Sequence, residues 1–272
     1  MTSQTFVEIG GTGLRCLLEG AGGPLVVLVH EMGGSLESWD RLALGDEFRV
    51  LRFDMRGFGM SGKVADKADL TRMADDLAEL LTALDLDEPA HLCGMAVGGA
   101  LITRFAARYP ERTASVVAMG PALGVAAERR DGVRARADRI ERDGMAAISS
   151  EELGLTYPER LRDDRHFRSY RARWLGNDPA SYAATYRMLA ELEMGADIAA
   201  IDRPCLLLAG TLDPLRPPAM IEPIAGRIAG ARFAAVEAGH VMAFQAPDLV
   251  RREVMNFWSA IRHPGFARGI GA

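Results

Sequence analysis

Asp213 and His240 are a carboxylate and an imidazole, the side chains that move protons near neutral pH. Each closes a largely apolar run: Leu206-Leu207-Leu208-Ala209-Gly210-Thr211-Leu212-Asp213-Pro214 and Val236-Glu237-Ala238-Gly239-His240. A lone histidine is more often packed or on the surface. This one is read as a strand end, 27 positions after the aspartate. Upstream of both lies His91-Leu92-Cys93-Gly94-Met95-Ala96-Val97-Gly98-Gly99. Serine at 96 would make this Gly-x-Ser-x-Gly, but alanine stands there, and a methyl group cannot attack a carbonyl.

The elements that must position these residues alternate. Leu25 to Val29, Phe48 to Phe53, Ala90 to Cys93, Ser115 to Met119 and Cys205 to Ala209 read as buried strands. Helical patterns cover Leu70 to Leu84, Gly99 to Tyr109, Pro218 to Ile228 and Pro247 to Ile261. Such alternation implies a mainly parallel sheet covered on both faces, an α/β fold. Thr5 to Ile9 and Leu14 to Glu19, joined by four residues containing three glycines, predict an antiparallel hairpin at its start. Residues 122 to 195 hold no convincing strand. Ala126 to Arg142 and Pro179 to Leu192 are helical in pattern, with Pro158, Gly176 and Pro179 as breakers. We expect a core of 1–121 and 196–272 carrying a helical lid, 122–195. The stretch after Trp258 reads as a loose tail.

Four motifs in this order resemble the α/β-hydrolases, and among them the 3-oxoadipate enol-lactonase-like group. They are His30-Glu31-Met32-Gly33-Gly34-Ser35 with Trp39, Asp54-Met55-Arg56-Gly57-Phe58-Gly59-Met60-Ser61, the Gly94–Gly98 turn, and the Asp213 and His240 runs. The resemblance covers nearly the whole chain. It implies an α/β-hydrolase fold and places Ala96 where the family carries its nucleophilic serine. Asp213 would orient His240 and stabilise its cation while His240 moves the proton. The backbone N–H of Val97 and of Glu31 or Met32 would form the oxyanion hole. The turn after Asp54 would be structural, and Ser61 has no elbow geometry with which to replace the missing serine. Glu31 is unusual, because a carboxylate beside an oxyanion opposes it; the plainer expectation turns its side chain to solvent or to a lid arginine.

Bulk properties narrow the partners. The chain has 272 residues, net charge −5, 49% hydrophobic and 25% charged residues, as in a globular protein with no nucleic-acid signature. Only Lys63 and Lys67 are lysines among 32 basic residues. In the lid, Arg129 to Arg142 and Arg160 to Arg173 interleave with acids, as on a salt-bridged surface, although an inward arginine that binds an anion stays open. Cys16, Cys93 and Cys205 match no zinc or disulfide spacing, and Cys93 reads as a small buried residue. No convergent set of ligands suggests a metal, no glycine-rich loop suggests a phosphate site, and the proposed chemistry needs no cofactor. No leader pattern or bilayer-length apolar run is present, so a cytoplasmic protein is expected, with a small-molecule substrate and no membrane partner. A homodimer is left open.

Three accounts of Ala96 remain at this stage. A serine hydrolase could have been altered at its nucleophile. A native alanine could leave His240–Asp213 as a general base, against an activated lactone or in C–C lyase, decarboxylase or cofactor-free oxygenase chemistry, with Glu31 as a second acid or base. Or the pocket could serve a non-catalytic receptor. The favoured substrate is a small ester, lactone or enol-lactone bearing a carboxylate.

Overall fold

The computed structural model describes residues 3–64 and 66–261. Eight strands form one sheet: β1 (Ser3–Ile9), β2 (Thr12–Glu19), β3 (Leu25–Val29), β4 (Arg49–Phe53), β5 (Ala90–Met95), β6 (Thr113–Met119), β7 (Cys205–Gly210) and β8 (Arg232–Val236). Their spatial order is β1-β2-β4-β3-β5-β6-β7-β8. The β1–β2 and β2–β4 pairs are antiparallel and every later pair is parallel. The hairpin is as expected from its glycines. Gly10 and Gly11 both take positive φ, the backbone region L side chains avoid.

Period-two burial divides the sheet between two cores. Leu25, Val27 and Val29 pack towards α1 (Leu70–Ala83) and α2 (Val97–Arg108). Val26 and Leu28 pack on the opposite face with Phe48, Trp39 and the last helix, where Trp258 is fully buried. Every residue of β3, β5, β6 and β7 is buried, so these strands are largely apolar rather than alternating, with His91, Thr113 and Ser115 as buried polar exceptions. Burying each valine or leucine contributes about 1.5–3 kcal/mol, which makes the strand frame rigid enough to hold loops at its ends.

Between β6 and β7 run α3 (Ala127–Asp143), α4 (Ser149–Thr156), α5 (Asp164–Leu175), α6 (Pro179–Glu191) and α7 (Gly195–Ala200). Two of these were expected. The segment from 149 to 175 is also helical, and its local signals are caps: Asp163 accepts the His166 N–H at 2.7 Å and starts α5, while Gly176 ends it. Pro179 is the first residue of α6, where proline is tolerated. After β7 come α8 (Pro218–Ala225), then β8, α9 (Met242–Gln245) and α10 (Pro247–Ala260). The tail expected beyond Trp258 is helical to Ala260, and from 262 on it lies outside the described residues. No helix among the described residues is long and apolar enough to cross a membrane.

The chain leaves β3 for β4 on one side and then crosses back to β5 on the other. At this reversal the loops after β3 and β5 diverge and open a crevice at the carboxyl ends of the strands. Both His30–Ser35 and Ala96 lie there.

Candidate active site

Ala96 sits on the turn between β5 and α2 with φ 49° and ψ −112°. This left-handed backbone is costly for any residue with a Cβ, about 1–3 kcal/mol. The surroundings over-determine it. The Ala96 N–H donates to the Met119 carbonyl at 2.9 Å, and its own carbonyl accepts from Ala122 N at 2.9 Å and Ala100 N at 3.1 Å. The flanking glycines are obligatory: a Cβ on Gly94 would lie 2.4 Å from the Gly98 carbonyl oxygen, and one on Gly98 2.3 Å from that of Val29. Small residues two before and two after Ala96 are therefore a steric requirement of this turn. Val97 is the first residue of α2, so its N–H has no carbonyl four residues back and stays available.

His240 and Asp213 meet. His240 Nδ1 donates to Asp213 Oδ2 at 2.8 Å, while Asp213 Oδ1 accepts the N–H groups of Leu215 at 2.8 Å and Arg216 at 3.1 Å. The carboxylate side chain is wholly buried. Burial alone disfavours its charge, but His240 and the two N–H donors outweigh burial and hold Asp213 below the usual aspartate range. With Nδ1 committed to Asp213, Nε2 is the nitrogen left for substrate or water. One expectation needs correction. His240 does not end a strand, because β8 stops at Val236 and a loop carries residues 237–240. That loop is pinned instead by its own bonds, Leu212 N to the Ala238 carbonyl at 3.0 Å and His240 N to the Thr156 carbonyl at 3.2 Å.

The loop after β3 is shaped by His30. Its Nε2 accepts the Met55 N–H at 3.0 Å, which leaves Nδ1 as the donor to the Glu31 carbonyl at 2.7 Å. His30 is thus a neutral brace between two loops. The Asp54 turn is structural in the same way. Asp54 accepts from Leu36 N and Met60 N at 2.7 and 2.8 Å, Ser61 donates to the Asp54 carbonyl at 2.7 Å, and Arg56 grips Asp76 with two bonds. Ser61 is committed and buried.

Glu31 overturns the plainer expectation for its side chain. It is 1% exposed and faces neither solvent nor a lid arginine. Its Oε1 accepts from Ser38 Oγ at 3.0 Å, and Oε2 is buried with no hydrogen-bond partner among the described residues. Gly34 makes the room, since a Cβ there would lie 2.5 Å from Glu31 Oε1. The Tyr170 and Tyr182 hydroxyls are pushed well above the usual phenol range, first by burial, with the charge of Glu31 adding to it.

These groups share one cavity of about 620 Å³. Glu31, Met32, Ala96, Val97 and His240 line its floor, and α3, α4, α5 and α6 supply the opposite wall. There, Tyr186 donates to Glu152 at 2.8 Å and Arg136 pairs with Glu152 and Glu151. Arg129 and Arg216 also line the cavity. The reading from residue types missed Glu152, Tyr170, Tyr182 and Arg216. Arg216 carried the one usable signal, its place three residues after Asp213; the others sit on helices without a motif. Cys93 is buried and burial pushes its thiol up, so it is no nucleophile. Among the described residues no cluster of histidine, cysteine and acids could hold a metal.

Residues 24–247 match the family described as alpha/beta hydrolase fold. The chain belongs to the α/β-hydrolase fold family. It is 26% identical to 3-oxoadipate enol-lactonase 1 of Acinetobacter baylyi across 83% of this chain and 85% of that protein. Among solved structures it is similar to the enol-lactonase from Burkholderia xenovorans LB400, with TM-score 0.87, 25% identity and coverage of 94% of this chain and 100% of that one. The thermophilic esterase from Thermogutta terrifontis, in its malate-bound form, superposes with TM-score 0.87 at 26% identity, covering 96% and 100% of the two chains. These relatives of the hydrolase fold are enzymes.

Proposed function

We propose that this chain hydrolyses a small, carboxylate-bearing activated ester, lactone or enol-lactone by general-base activation of water, without an acyl-enzyme. The observation that carries the reading is His240 lining the cavity with Nδ1 bonded to Asp213, together with an Ala96 that lines the same cavity and has no hydroxyl. In this route His240 takes a proton from water as the water oxygen adds to the carbonyl. The Val97 and Met32 N–H groups receive the oxyanion, and the C–O bond of the leaving enolate or alkoxide then breaks as His240 returns the proton. General-base catalysis of this kind is worth about 10²–10⁴-fold, sufficient for an activated lactone and far short of an amide. The helices of 122–195 act as the lid that closes over the substrate. The enol-lactonase relatives and the malate held by the esterase support the substrate class.

Glu31 favours a second reading. Its buried, unpartnered oxygen suits a proton acceptor or donor opposite His240, as in proton abstraction from carbon next to a carbonyl.

The test is a screen of enol-lactones and aryl esters with the parent, Ala96→Ser and His240→Ala. The expected result is slow turnover by the parent with no burst and no covalent adduct by mass spectrometry. Ala96→Ser should show a burst, and His240→Ala no turnover. A parent that releases nothing but exchanges C–H for deuterium in a 3-oxo acid sinks the first reading in favour of the second. Activity that survives His240→Ala sinks both.

A further inference from the structure

Most arginines of the helical segment 122–195 are neutralised. Arg130 pairs with Glu193, Arg134 with Asp131 and Glu191, Arg136 with Glu151 and Glu152, and Arg187 with Asp138 and Glu141. Two cavity residues break this pattern. Neither Arg129 nor Arg216 forms an ion pair with any described acid, and both line the cavity that holds His240. The Arg216 guanidinium donates only to the Leu215 carbonyl beside it, at 2.9 Å, which leaves most of its five N–H donors uncommitted. Asp213, three residues earlier, is occupied by His240 and by two backbone N–H groups and does not pair with this guanidinium.

Electrostatics gives the same answer. Burial holds Arg216 below the usual arginine range; Asp213 opposes that fall and the neighbouring charge of Arg129 adds to it. Arg129 is exposed and solvated, whereas Arg216 is partly buried with most of its donors unused, so an anion entering the cavity finds its positive partner at Arg216, with Arg129 at the rim. The requirement is for one negative group with a planar pair of acceptors, which a guanidinium fork matches bidentately.

We propose that Arg216, assisted by Arg129, is the anchor for the substrate carboxylate, fixing one end of the ligand on the Asp213 side of the cavity while the reacting carbonyl lies over Ala96. This rests on the carboxylate-bearing substrate proposed above and names the residues that select it. The anchor is a binding group, so its loss weakens ground state and transition state alike and acts on KM more than on kcat.

The experiment measures binding without turnover. Levulinate (4-oxopentanoate) is titrated calorimetrically into the parent and into Arg216→Gln, Arg216→Lys and Arg129→Gln, with 4-oxopentanamide and inorganic phosphate as controls. Melting temperatures first establish that each variant is folded. The expected result is levulinate binding to the parent, at least tenfold weaker in Arg216→Gln, partly restored in Arg216→Lys and moderately weaker in Arg129→Gln. The neutral amide should bind as weakly as levulinate does to Arg216→Gln, and be indifferent to that change. Levulinate affinity unchanged in folded Arg216→Gln overturns the proposal, as does an amide that binds as well as the acid. Phosphate binding more tightly than levulinate, and through Arg216, overturns the carboxylate assignment. Arg216-dependent binding retained in His240→Ala, together with no hydrolysis by the parent, keeps the anchor and rejects the hydrolytic reading instead.

Discussion

The Ala96 turn and the Asp213–His240 pair stand in one cavity but differ in what they retain. The pair is complete: a buried carboxylate with both oxygens satisfied, and an imidazole with one nitrogen held and one free. The turn keeps its scaffold, with positive φ and two glycines that no other residue can replace, yet displays only a methyl group. A strained backbone is ordinarily tolerated because it presents a reactive atom. Here the strain remains while the Asp213–His240 bond is intact, and it is on that bond that the proposed histidine chemistry rests. The loop after β3 favours the second reading instead, for the unpartnered oxygen of Glu31 is a poor neighbour for an oxyanion and a good one for a mobile proton.

The comparison breaks most sharply at the histidine. His240→Ala is expected to lower turnover by about 10²–10⁴-fold, the worth of a positioned base, in steady-state assays of whichever activated lactone the parent accepts. A loss under threefold would mean that the pair is no more than scaffold. Next in size is Gly98→Ala. Its Cβ would meet the Val29 and His30 carbonyl oxygens at 2.3 and 2.4 Å, so we expect a stability loss of about 3 kcal/mol or more, read by urea denaturation. A neutral outcome would show that the turn relaxes easily and that its strain has no hold. Ala96→Gly tests that strain directly. Glycine tolerates φ 49° at no steric cost, so despite its greater unfolded-state entropy the variant should be more stable by up to about 1 kcal/mol. Destabilisation would mean that the methyl packs productively in the cavity.

The smallest effect is on the pH dependence of stability. Asp213 is held below its ordinary value when folded, so its contribution is fully present above the unfolded aspartate range, near about 3.9. It is lost as pH falls through the lower folded value. Asp213→Asn should therefore flatten the stability curve in that acid window, as read by denaturant titrations at a series of pH values. An identical acid slope in the two proteins would show that Asp213 titrates alike in the folded and unfolded states.

Much of this was legible in residue order. The central strands were readable because parallel strands buried on both faces are apolar at nearly every position, and the Ala96 turn because glycines are needed where backbone approaches backbone. The stretch from 149 to 175 was not, because α4 is short, has no side-chain cap and shows no apolar stripe, while α5 is arginine-rich and starts on the Asp163 cap. The His240 loop was misread as strand for a related reason. Val236 to His240 is short and mostly small, and what holds it is bonding to Leu212 and Thr156, distant in sequence.

By itself the sequence determined the fold class, the absence of a nucleophile at 96 and the candidacy of Asp213 and His240, since these follow from local pattern and side-chain chemistry. Only the tertiary structure decided that the pair meets at 2.8 Å and that, among the described residues, a buried Glu31 oxygen has no hydrogen-bond partner and Arg129 and Arg216 have no acid partner. Pairing and burial are properties of surfaces brought together by folding. A charge run read along the chain cannot say which guanidinium will be left without its carboxylate.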